Sequence, residues 1–267
     1  MARSEHSIIE LYDLESPYVT EFRRLLYKVF GRGQERELKS LMMTSAMLSE
    51  GKSTVCSFLA ITAAKKKGYK TLLIDADLRR PSIHRFFKMT SDPGLVEILV
   101  DGYNHKDAIK KTSIDKLDVL TSGRRCSNPT EVFDADAIGN LIEELKFYYD
   151  LIVVDCPPLL PVSDPMMLAS KVDGILVVIK AGATQKEVVK RAVEILNSER
   201  DRILGIVLNN MTGSLPYYYD YSYYDYSSNP SNGKQKAAEK RPRNHQKKRD
   251  NLGRAGTPIK GNIAPNG

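Results

Sequence analysis

From Leu38 onward, short and almost wholly apolar runs alternate with longer stretches in which apolar residues recur every three or four positions. The runs at 38–44, 71–75, 117–121, 151–155, 174–180 and 203–209 predict β-strands. Runs such as L-L-I, L-I-V-V and I-L-V-V-I lack the alternation of a half-exposed strand and fit parallel strands covered on both faces. The stretches 53–67, 135–147 and 184–199, with shorter ones near 94–100 and 165–171, predict helices. Upstream, Phe22, Leu25, Leu26 and Val29 lay an apolar stripe along a helix at 18–30, stopped by Gly31 and Gly33. Residues 1–17 read as irregular. Alternating strands and helices define an α/β protein, doubly wound around a mostly parallel sheet.

After Asn210 the pattern ends. Residues 217–226 read Y-Y-Y-D-Y-S-Y-Y-D-Y, holding seven of the 14 tyrosines. The Ser-, Asn-, Pro- and Lys-rich remainder has too few apolar groups to offset its ordering entropy and reads as disordered. Four regions follow: a segment and helix at 1–34, a main domain at 35–213, the tyrosine cluster at 214–226 and a tail at 227–267.

Charge sharpens this division. Of 40 basic and 33 acidic residues, 10 basic and 2 acidic ones lie in 227–267, so the first 226 residues are close to neutral. The basicity belongs to the tail, which disfavours a nucleic-acid-coating domain. The tail has two open readings, a solubilising extension or a segment drawn to anionic headgroups. No apolar run reaches the length of a membrane span and the N-terminus lacks a signal peptide, so a cytoplasmic protein is expected. Cys56, Cys126 and Cys156 show neither disulfide nor zinc spacing, and Cys56 and Cys156 are expected to be small buried hydrophobes.

Residues 46–53 read A-M-L-S-E-G-K-S between a predicted strand and a predicted helix. This is the P-loop pattern with Ala46 in place of its first glycine. Gly51 allows close backbone approach to phosphates, and the loop and helix amides from Ser49 and Glu50 to Thr54 form an anion cradle. Lys52 supplies a point charge for the β- and γ-phosphates and Ser53 a hydroxyl for Mg²⁺. Two further strands end in carboxylates, Asp75 and Asp77 in L-L-I-D-A-D-L-R-R-P and Asp155 in I-V-V-D-C-P-P. One such Asp is commonly a turn residue. Three on two buried strands beside a P-loop point to a metal–nucleotide site at the carboxyl end of the sheet.

A P-loop followed by Φ-Φ-Φ-D-x-D-x-R and Φ-Φ-Φ-D-x-P-P, with Φ apolar, resembles the bacterial tyrosine kinases of capsule and exopolysaccharide synthesis. The likeness extends to N-P-T-E-V-F at 128–133, to 164–178 and to I-L-G-I-V-L-N at 203–209. It implies a P-loop NTPase fold related to partition-type ATPases, with ATP and Mg²⁺ as cofactors. It implies metal support by Ser53, Asp77 and Asp155, and Asp75 orienting or deprotonating a tyrosine. It implies autophosphorylation of Tyr217, Tyr218, Tyr219, Tyr221, Tyr223, Tyr224 and Tyr226. Implied partners are a transmembrane polysaccharide co-polymerase-type modulator holding the chain at the inner face of the membrane, protein tyrosine substrates, a cognate phosphatase and further copies in a ring. The family's ring motif E-x-x-R-x-x-R is incomplete here, with Glu21 and Arg24 present and Tyr27 in the last place. Asn209, at the end of the last strand, is a candidate adenine contact. Arg79 and Arg80 are either phosphate or substrate contacts or solvated loop residues.

Two other functions use the same residues, a partition- or septum-site-type switch ATPase and a nucleotide-binding assembly subunit. Switch ATPases of that group carry an extra lysine early in the P-loop, where this chain reads T-S-A-M, and lack a tyrosine array. Both differences favour the kinase.

Overall fold

A computed structural model describes residues 7–13, 15–31, 37–126 and 128–211. They belong to a compact unit, Met1–Tyr224; the second unit, Asp225–Gly267, lies wholly outside the described residues. The seven tyrosines of the cluster also lie outside them.

Among the described residues one sheet contains β1 (Ser40–Ser45), β2 (Thr71–Asp75), β3 (Lys110–Lys111), β4 (Leu117–Leu120), β5 (Leu151–Asp155), β6 (Gly174–Lys180) and β7 (Ile203–Asn209). Their order is β3-β4-β2-β5-β1-β6-β7, parallel except for β3 against β4. The helices are α1 (Pro17–Phe30), α2 (Lys52–Thr62), α3 (Ile83–Phe86), α4 (Leu95–Asp101), α5 (His105–Ala108), α6 (Pro129–Val132), α7 (Ala135–Leu145), α8 (Asp164–Ala169) and α9 (Lys186–Ile195).

Alternation along each strand divides the core. Leu41 and Met43 of β1 join Leu59 of α2 and Leu26 of α1 on one face. Met42 joins Leu141 and Leu145 of α7 and Leu168 of α8 on the other. Both faces of the central strands are therefore dry, as their continuous apolar runs require. The expected doubly wound sheet is present, with all six expected strands.

The differences have local causes. The first strand starts at Ser40 because the amides of Lys39 and Ser40 donate to Asp173 Oδ2, at 3.0 and 2.8 Å. The helix expected at 53–67 begins at Lys52 and becomes a π-helical turn over Ala63–Lys67, ended by Gly68 at φ +69°. The helix expected at 184–199 ends at Ile195, and a 3₁₀ segment follows at Asn197–Arg202.

Residues 7–13, expected to be irregular, are anchored. The Ile8 amide and the Ser7 hydroxyl both donate to the Phe86 carbonyl, at 2.9 and 3.0 Å. Glu10 pairs with Lys88 at 3.0 Å, and Tyr12 donates to Thr62 Oγ1 at 2.9 Å. Tyr12, Tyr18 and Phe22 surround Phe58 of α2. Among the described residues no helix is long and apolar enough to cross a membrane.

Candidate functional site

The parallel register carries the chemistry to one place. Asp75 at the end of β2 lies opposite Asp155 at the end of β5, and Met43 of β1 lies opposite the same Asp155. The loop after β1 therefore rises beside β5, whose other neighbour is β2, at the carboxyl edge where α/β sheets bind ligands.

That loop is held in an unusual backbone shape. Ser49 has φ +63° and Gly51 has φ +86°, in the left-handed region. A Cβ on Gly51 would also sit 2.1 Å from Asn209 Nδ2. The Glu50 side chain is buried and accepts from the Met47 amide at 2.7 Å and from the Thr184 hydroxyl. Asn209 Nδ2 donates to the Glu50 carbonyl at 2.9 Å. The loop is thus fixed from the ends of β6 and β7. The first turn of α2 has no capping side chain, so its amides remain available to an anion.

Lys52 enters from this turn and is buried between two acids. Its Nζ lies 2.8 Å from Asp77 Oδ2 and 3.2 Å from Asp155 Oδ1. Burial alone would lower the Lys52 pKa, but Asp155 and Asp77 raise it, so the ammonium stays charged. Asp155 is fully buried, and burial pushes its carboxyl up against the opposing pull of Lys52. Asp75 is also fully buried; desolvation first, then the Asp155 charge, push it to about 7. Its Oδ2 accepts from the Ser82 and Ile83 amides, both at 3.0 Å, and its Oδ1 from the Asp77 amide at 3.3 Å. Cys56 is buried with its thiol 3.6 Å from Asp155 Oδ1; Cys156 is likewise buried and free, as expected of small hydrophobes.

A cleft of about 290 Å³ opens over these groups, lined by Ser49, Lys52, Ser53, Thr54, Asp77 and Arg80 among others. The donor set fits Mg²⁺ with a nucleotide. Asp155 Oδ2 is buried without a hydrogen-bond partner among the described residues, and the Ser53 hydroxyl lies within reach of the same carboxylate. No group of three His, Cys, Asp or Glu side chains forms a metal cage among the described residues. Mg²⁺ takes much of its shell from water and phosphate, so one hydroxyl and one or two carboxylates suffice.

Lys52, Ser53, Asp77 and Asp155 meet, and Asp75 stands beside them with its oxygens turned to loop amides. Ser49, Glu50, Gly51 and Thr54 line the cleft. Ala46 is buried at the end of β1, its carbonyl accepting from the Leu160 amide at 3.3 Å. Asn209 touches the loop backbone rather than the cleft lining. Sequence reasoning missed Thr184 and the clamp on Arg79. Arg79 reaches Asp164 with Nε at 3.0 Å and Nη2 at 3.3 Å, and Thr130 at 2.7 Å.

Because Asn209 supports the loop, Asn209→Ala is expected to weaken nucleotide binding about tenfold by leaving the Glu50 carbonyl unpaired. Titration with a fluorescent ATP analogue checks this, with circular dichroism expected to be unchanged.

Comparison with known proteins matches this geometry. Residues 49–205 match the family described as AAA domain. The chain is 33% identical over 228 residues to tyrosine-protein kinase YwqD of Bacillus subtilis (strain 168), covering 85% of this chain and 95% of that one. The kinase domain of Escherichia coli tyrosine kinase ETK superposes with a TM-score of 0.72 at 29% identity, over 83% of this chain and 88% of the other. The cell division ATPase MinD of Pyrococcus furiosus shares the fold with a TM-score of 0.56 at 26% identity, over 64% of this chain and 71% of the other. A P-loop held against paired strand-end carboxylates, in a chain that aligns with almost the whole of YwqD, places this protein in the bacterial tyrosine-kinase family, on the P-loop NTPase fold it shares with MinD-type ATPases.

Proposed function

We propose that the chain transfers the γ-phosphoryl group of ATP to tyrosine hydroxyls, those of its own 217–226 cluster among them, and thereby regulates capsule or exopolysaccharide synthesis and export. The observation that supports this reading most is Lys52, buried and charged between Asp77 and Asp155 at the uncapped first turn of α2. Phosphoryl transfer needs little covalent help from a protein and depends on positioning and charge stabilisation. In this reading the amides around Gly51 to Thr54 and the Lys52 ammonium hold the phosphates. Ser53, Asp77 and Asp155 hold Mg²⁺, which when bound neutralises phosphate charge. Lys52 must then exchange at least one carboxylate for phosphate oxygen.

A tyrosine hydroxyl, with a pKa of about 10, needs a proton acceptor as it attacks. Asp75 is assigned that role, since burial and the Asp155 charge raise it to about 7, which makes its carboxylate a stronger proton acceptor while leaving a share of it ionised at neutral pH. Reaching the hydroxyl requires the Ser82 and Ile83 amides to release its Oδ2. Each phosphate adds about −1.5 to −2 charges, so a modified cluster reverses its relation to the basic tail. A transmembrane modulator holding the chain at the inner face of the membrane, further copies in a ring and a phosphatase complete the proposal.

The MinD likeness supports a second reading, a switch ATPase of the partition or septum-site type. One experiment separates the two: incubation with Mg-ATP, phosphotyrosine mapping and a free-phosphate assay. The kinase reading expects label within residues 217–226, lost when the seven tyrosines there become Phe. Phosphate release with no labelled protein would replace it with the switch.

A further inference from the structure

The loop after β2 is a cationic stretch. Residues 78–90 read L-R-R-P-S-I-H-R-F-F-K-M-T, with three arginines, a histidine and a lysine and no acid. Two of these charges are engaged elsewhere. Arg79 is held by the buried Asp164 in a two-pronged contact and by Thr130, and Lys88 is paired with Glu10. Arg80 is placed differently. Its amide donates to Asp77 Oδ1 at 3.0 Å, so its backbone is pinned to the acid that holds Lys52. Its side chain is exposed, lines the nucleotide cleft, and makes no ion pair among the described residues. The clamp on Arg79 and the contact through Asp77 Oδ1 fix both ends of this short turn. Arg80 is left as a guanidinium at the cleft wall with no ion-pair partner among the described residues.

We propose that Arg80 is the acceptor-reading residue of this site, binding an acidic side chain next to the tyrosine being phosphorylated. This rests on the kinase reading above and names its substrate class, tyrosines flanked by Asp or Glu. The chain's own cluster has that chemistry. Asp220 lies between Tyr219 and Tyr221, and Asp225 between Tyr224 and Tyr226, so six of the seven target hydroxyls lie within two residues of an acid that a planar guanidinium binds through paired N–H donors. The position also suits the geometry. Arg80 lines the same cleft as Lys52 and Asp77, so one contact would both select the peptide and turn its hydroxyl toward the phosphate.

The test is a double-substitution cycle on autophosphorylation in the full chain. Four proteins are compared: the parent, Arg80→Ala, Asp220→Asn with Asp225→Asn, and all three changes together. Initial rates of tyrosine labelling are measured with saturating Mg-ATP. Either the Arg80 change or the paired Asp changes should slow labelling about tenfold, and the triple variant should be no slower than either. Two rate losses that multiply would overturn the proposal, since Arg80 would then act on something other than those acids, the nucleotide phosphates included. An Asn-containing cluster labelled at the parent rate would overturn it as well. A parent that releases phosphate without labelling its tyrosines would instead remove the kinase reading itself.

Discussion

Lys52→Met is expected to lower ATP-dependent tyrosine labelling by about 10³-fold or more, the scale seen when a preorganised charge aimed at a transferring group is removed. The structure adds a second consequence. Lys52 is the cation that lies between Asp77 and Asp155, and all three are buried. Removing one partner of a buried ion pair leaves the other charge uncompensated, at a cost of about 3 kcal/mol or more. The variant should therefore melt at a lower temperature than the parent without nucleotide and also bind ATP poorly. Thermal denaturation followed by circular dichroism, beside phosphotyrosine immunoblotting at a temperature where the variant is folded, separates the two losses. Undiminished labelling by a folded variant would contradict the role given to Lys52.

Asp75 should make the nucleotide-free protein less stable as pH rises. Its carboxyl goes from 3.8 in a solvated chain to about 7 when folded, with burial the largest cause and the Asp155 charge next. Below the solvated value both states carry the proton and the contribution is constant. Between the two values the unfolded chain has lost its proton while the folded chain keeps it, so each rise in pH favours unfolding. Above about 7 the loss is complete, and three units amount to about 4 kcal/mol. Urea denaturation across pH 4 to 8 should show this fall, and Asp75→Asn should flatten it. A parent whose stability rises through that range by as much as the expected fall would refute the assignment.

The sheet was legible because burial on both faces forces unbroken apolar runs, and such runs survive inspection of a single chain. The strand-end acids were legible for the same reason, since Asp75 and Asp155 interrupt the runs Leu72–Ile74 and Ile152–Val154. β3 was not, because Lys110 and Lys111 form a polar two-residue edge strand with no pattern of its own. The contacts that set the loop were also hidden. Glu50 meets Thr184 across 134 positions, Asn209 meets Glu50 across 159, and Arg79 meets Asp164 across 85. Each partner is an ordinary polar residue near an element end, and only tertiary folding assigns it. Asn209 is a further case, since its position suggested adenine and gave no sign that its amide also supports the loop backbone.

The anchored segment at 7–13 carries a thermodynamic obligation. Ile8 and Glu10 grip the end of α3 at Phe86 and Lys88, and Phe86 lines the cleft. Linkage is reciprocal: a ligand that orders that wall must tighten the hold on Ile8 by the same free energy with which a grip on Ile8 would favour the ligand. For a nucleotide that does so, Ile8 and Glu10 would be coupled to its occupancy, and either end of that coupling could serve as its handle.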